Sequence, residues 1–323
     1  MKLRSLATML MLLASAGVAQ AQLKYPPETR NAALRYWAAF AEMQDPPADK
    51  ATQALLEKTA SGEAAWDESK LGPIVDANAE AIETMQRATK LPECDWGLEY
   101  SLGPRASTVY VPRSRVLARL NTLEGMRQMA KGDSQAAVTA WLAGIRFSQD
   151  VARGGPLLFA LVAKTTLLPN LNAITEGIRK GELNETQKQQ VRAALKTLPE
   201  DGFDWGMTWG VESAGIDQFF QELREATNPG AVYEALMGKP APKQGLPPTA
   251  QDIQAIRAYM LAVQAALREP PAKAKTLLDG LETKRHSLTE VEQELIPNPQ
   301  KPKDIRNEII TARAELMRAL APQ

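Results

Sequence analysis

Apolar side chains recur at helical spacing through almost all of the chain beyond its first twenty or so residues, while alternation of period two is hard to find. Ile253, Ile256, Met260, Val263 and Leu267 make one stripe, which predicts a helix over about 250–268. Ile305, Ile309, Leu316 and Leu320 repeat the arrangement near the C-terminus. In the centre, Leu117, Leu120 and Leu123 mark a helix from about Arg113 to Ala130. Gly132 then suits a left-handed helix end, and Asp133 or Ser134 can accept the amide protons of a next helix carrying Ala137, Trp141, Gly144 and Phe147. Together these predict an antiparallel helical hairpin.

Punctuation places the remaining elements. A helix follows Pro26 and Pro27 and stops at Asp45, Pro46 and Pro47, because proline supports a first turn and disrupts a later one. Others are expected near 49–60, from Pro73 to Thr89, from Trp205 to Ala226, and from Pro156 to about Lys180, where Pro169 should kink or split the helix. Asn184 with Gln187 reads as a capping box for 185–197, and Ser287 with Glu290 as another. The one stretch with strand character is Ser107 to Val111, and it lacks an obvious partner.

The expected fold class is therefore all-α, with stacked antiparallel helical hairpins and a helical C-terminal extension. Residues 238–248 read GKPAPKQGLPP, in which six of eleven are Gly or Pro, so a linker is placed between a helical body at 22–237 and a C-terminal helical segment at 249–323. Composition leaves open whether that segment packs on the body.

Composition changes the picture at three points. The first 21 residues combine Lys2 and Arg4, an apolar run and a small-residue ending at Ala21, the order of a secretory signal peptide. The expected destination is periplasmic or extracellular, by the general secretory route. Removing that segment leaves 36 basic against 38 acidic side chains, too balanced a charge to draw in nucleic acid. No GxGxxG or GxxxxGK stretch is present for a nucleotide, the apolar stretch 156–168 is short for a membrane span, and a single cysteine (Cys94) and a single histidine (His286) exclude disulfide frameworks and His or Cys metal clusters. No cofactor or metal is expected.

Two landmarks recur in the same order. AALRYW at 32–37 is echoed by AAVTAW at 136–141, and LPECDWG at 91–97 by LPEDGFDWG at 198–206. Duplication of a unit of about 105 residues is one account. Chance recurrence among common helix formers is the other. The hairpin at 114–151 resembles a tetratricopeptide repeat at Gly125, Ala137, Trp141 and Gly144, although Asn121 stands where that family prefers tryptophan and no 34-residue period follows. More broadly, NAALRYWAAF at 31–40, CDWGLEYSLGP at 94–104 and the late Asn298–Pro299 resemble an uncharacterised group of exported, largely helical bacterial proteins. That resemblance implies an all-helical fold and export, and carries no activity over to any residue.

Catalysis by a nucleophile–base pair has only His286 to draw on, in a charged stretch near a helix end. Carboxylate chemistry needs no histidine. Glu212 with Ser213 resembles the glutamate–serine pair of soluble lytic transglycosylases, which would imply peptidoglycan cleavage with Glu212 as the acid. The GLMQ element of that family is replaced here by AVYEALMG. The DWG blocks admit two readings. Trp96, Tyr100, Trp205 and Trp209 could form an aromatic platform, with Asp95, Glu99 and Asp204 as acceptors. In the other reading each tryptophan plugs a helix junction while its aspartate caps the following helix, a role that explains all three residue types at once. The expectation is an exported binding or scaffolding protein with a protein or peptide partner in the cell envelope, with Glu212-dependent cleavage as the alternative.

Overall fold

The computed structural model describes residues 28–321, so the expected signal segment lies outside the described residues. Asn31 onward forms one compact unit. It is all-α, with no strand among the described residues.

The first four helices are α1 (Ala32–Glu42), α2 (Lys50–Ser61), α3 (Glu68–Asp76) and α4 (Ala79–Ala88). Their N-termini follow local chemistry: Asn31, Asp49 and Asp67 each cap with a side-chain oxygen. The expected helix from Pro73 instead begins at Glu68 and breaks at Ala77–Asn78. Pro73 is the sixth residue of α3, past its first turn, so the Ser69 carbonyl has no i+4 donor, and the helix ends three residues later.

A 3-10 segment (Tyr100–Arg105) leads to α5 (Tyr110–Ala130), α6 (Ser134–Ala152) and α7 (Leu157–Arg179). Ser107–Val111 is not a strand. Tyr110 and Val111 open α5, and Pro112 occupies a first-turn position where no intrahelical donor is required. The expected hairpin turn is present, with Gly132 at φ +82° and Asp133 accepting from the Ala136 amide at 2.9 Å. Helix α7 runs unbroken past Pro169, so the proline does not divide it, and the Asn170 side chain donates through Nδ2 to the Thr166 carbonyl at 2.7 Å.

Helices α5, α6 and α7 pack mutually and form the centre. Close approach is set by small residues: a Cβ on Gly125 would strike the Trp141 indole, and one on Gly144 would lie 2.6 Å from the Asn170 amide. Buried polar groups are tied across the same interfaces. Asn121 donates to the Ala140 carbonyl at 2.8 Å, and Ser148 and Thr166 share a 2.8 Å hydrogen bond. Helix α7 is the one helix among the described residues long and apolar enough to cross a bilayer, longer than its apolar core of 156–168 indicated. In this fold α5, α6 and the C-terminal helix cover it, and Lys164 is paired with Glu308.

The rest comprises α8 (Glu185–Thr197), α9 (Trp205–Glu225), α10 (Pro229–Met237), α11 (Ala250–Leu267), α12 (Pro271–Arg285), α13 (Glu290–Leu295) and α14 (Gln300–Ala319). The Asn184–Gln187 box is formed, whereas the box expected at Ser287–Glu290 is made by Thr289 and Glu292. Ser287 has the same spacing, but it lies in the turn after α12 and donates to the Lys284 carbonyl at 2.6 Å. The Gly- and Pro-rich stretch after Met237 joins α10 to α11, and the helices beyond it pack back: α11 on α9 and α14 on α7. Arg306 of α14 reaches Asp201 at 2.7 Å, with both side chains nearly dry.

Candidate functional site

The two DWG blocks have different surroundings. Asn31 holds the first to the start of α1, donating to the Asp95 carbonyl and accepting from the Asp95 amide, both at 2.8 Å. Asp95 accepts from the Gly97 amide, a local turn with Gly97 at φ +66°, and caps no helix. Trp96 is 6% exposed, stacks on Tyr110 at 4.0 Å between centroids, and donates to the Asp150 carbonyl at 2.7 Å. In the second block Asp204 does cap α9, accepting from Met207 at 2.8 Å. Trp205 donates to the Asp201 carbonyl and Trp209 to the Met260 carbonyl, and both rings are buried. The echo is thus one of sequence, with unlike local geometry; Trp37 is partly exposed while Trp141, its counterpart, is buried.

These positions do not assemble into one open platform. Of the four aromatics only Tyr100 is exposed, and its hydroxyl donates to the Gly154 carbonyl at 2.5 Å. Glu99 immediately precedes the 3-10 segment.

Glu212 is committed elsewhere. Its carboxylate accepts from the Leu157 amide at 3.0 Å and so caps α7, whose preceding Pro156 supplies no side-chain cap. Burial raises its pKa, and the Leu157 hydrogen bond opposes that rise. It lines none of the three principal hollows described below.

A denser polar cluster, unforeseen from the sequence, lies beneath α1. Asp150 is fully buried, accepts from the Tyr36 hydroxyl at 2.8 Å and is paired with Arg146 at 3.2 Å. Desolvation raises the Asp150 pKa, against the pull of Arg146 and Tyr36. Burial also raises Cys94, so its thiol stays protonated and unreactive. The Tyr36 ring stacks on Trp96 and meets Phe147 edge-on.

No protein-family model matches the chain, and neither a curated protein nor a solved structure is significantly similar to it.

Three hollows lie side by side between α2, α5 and α7. They measure about 260, 170 and 660 Å³ and share Arg119 as a common wall. The largest is flanked by Gln53 and Glu57 of α2, Arg115 and Val116 of α5, and Leu158 and Val162 of α7. Thr165 and Thr166 line the adjoining part. The volume is in the range of a ligand site, and apolar walls with a few polar groups suit orientation of a guest. None of these residues stands out as a candidate site in the sequence, although Leu158, Val162, Thr165 and Thr166 lie in the apolar stretch 156–168. Among the described residues no group of three or more His, Cys, Asp or Glu could hold a metal ion.

Proposed function

We propose that this chain is an exported helical binding protein of the cell envelope that holds a protein or peptide partner in the groove between α2, α5 and α7, without covalent chemistry. The observation that carries the reading is the groove itself, a set of contiguous hollows reaching about 660 Å³ between three helices that pack on one another. Its walls alternate apolar positions (Val116, Leu158, Val162) with polar ones (Gln53, Glu57, Arg119), the mixture that peptide recognition uses. Export rests on the order of charges and apolar residues in the first 21 positions. Glycan cleavage through Glu212 draws no support from its geometry, because that carboxylate caps a helix outside the groove.

The test compares affinity capture from envelope extracts by the native chain and by Val162→Arg. The partner should be recovered by the former and lost from the latter, with matching circular dichroism and melting temperature. Equal recovery by both proteins, or release of soluble muropeptides from peptidoglycan by the native chain, would overturn the proposal.

A further inference from the structure

Arg115 and Arg119 stand one helical turn apart on α5, and both line the groove. Elsewhere on this helix the arginines are neutralised: Arg113 pairs with Asp45, and Arg127 with Glu68 and Asp76. Between them, neither Arg115 nor Arg119 has an ion-pair partner among the described residues. Arg119 donates to the Gln53 side-chain oxygen at 3.1 Å. Glu57 is the one acid on the walls of the two hollows that both arginines share, so those hollows carry a net positive charge. Like charges at this spacing repel; Arg119 is partly buried, whereas Arg115 is exposed. Burial first and the Arg115 charge second lower the Arg119 pKa, and the Glu57 charge opposes them in part. The site is therefore held in a state that an anion would relieve.

The walls indicate what the anion is attached to. Leu158, exposed to about half its area, and the partly buried Val162 and Val116 give an apolar side. Glu57 and Thr108 offer hydrogen-bonding groups along the same hollows, while Gln53 is bonded to Pro47 and Arg119 and Thr165 to the Val162 carbonyl. A hydrocarbon chain would desolvate those polar groups without replacing their partners. A peptide backbone supplies both donors and acceptors to them. We propose that Arg115 and Arg119 hold the terminal carboxylate of a peptide whose last residues are apolar, with Leu158, Val162 and Val116 receiving those side chains. The fork of a guanidinium matches a carboxylate with two parallel hydrogen bonds. This rests on the reading of the groove as the binding site.

Fluorescence anisotropy with the full chain tests it, using a fluorescein-labelled decapeptide ending in Leu-Ala-Leu as the free acid and as the amide, and laurate as competitor. The free acid should bind at least tenfold more tightly than the amide. Arg115→Ala and Arg119→Ala should each abolish most of that difference, Arg119→Lys should restore part of it, and raised salt should weaken the acid only. Equal binding of acid and amide overturns the carboxylate site, as does binding of laurate with no binding of the peptide. The groove reading stands or falls separately: it survives either result if Val162→Arg still abolishes capture of the envelope partner, and fails if that variant captures normally.

Discussion

Tyr36 of α1 donates its hydroxyl proton to the buried carboxylate of Asp150 on α6 at 2.8 Å, joining two helices 114 residues apart in the chain. Arg146, one turn before Asp150, completes the charge balance. Removing the hydroxyl leaves a fully buried carboxylate short of a donor while the ring contacts remain. Tyr36→Phe should therefore destabilise by about 1–3 kcal/mol. Urea denaturation followed by circular dichroism measures this, and an unchanged midpoint would show that the bond contributes nothing net.

Glu212 offers a prediction with a pH signature. Because its pKa in the folded chain is raised by burial, its protonated form is favoured on folding. Its contribution is most favourable below the ordinary glutamate value and declines as pH rises through the folded value. Glu212→Gln keeps an acceptor for the Leu157 amide and removes the charge. Its stability relative to the native chain should be highest at neutral pH and above, with the advantage shrinking as pH falls toward about 4. Glu212→Ala leaves the α7 terminus uncapped and should cost about 1–2 kcal/mol. Thermal melts of the three proteins across pH 4 to 8 decide both points.

The C-terminal helix is fastened by Arg306, whose guanidinium reaches Asp201 and the Glu269 carbonyl. Breaking a buried pair on one side strands the other charge. Arg306→Ala should cost about 3 kcal/mol. Hydrogen exchange should show lost protection in α14; protection unchanged from the native chain would show that α14 is held by its apolar stripe alone.

Gly125 faces the Trp141 indole with no room for a methyl group. Alanine gains about 1 kcal/mol in helix propensity. Overpacking against a buried ring costs about 1–3 kcal/mol. The clash should win, so Gly125→Ala is expected to lower the melting temperature, accompanied by a shift in tryptophan fluorescence; a rise in melting temperature would reverse that ranking.

Much of the helix map was legible because capping and periodicity are local. Asn184–Gln187, Gly132–Asp133 and the stripe from Ile253 to Leu267 act within a few residues. Errors arose where two local signals were equivalent, as with Ser287 and Thr289, or where β-branched residues open a helix, as at Val109 to Val111. The prolines at 229 and 271 open α10 and α12, a signal that is likewise local. The groove was missed for another reason. Arg115 and Arg119 have the i, i+4 spacing of one helix face, but identical spacing occurs in solvated pairs, and only the positions of α2 and α7 make theirs a lining.

Residue spacing by itself determined that this chain is helical, because a helix buries one face by its own 3.6-residue repeat and finds its end caps among its neighbours. Tertiary structure alone decided that Glu212 caps α7 rather than facing open space, that Trp96, Trp205 and Trp209 are interior, and that the segments on either side of residues 238–248 share one core. Each of those outcomes depends on residues dozens of positions away, and desolvation and charge pairing have no sign until such neighbours are in place.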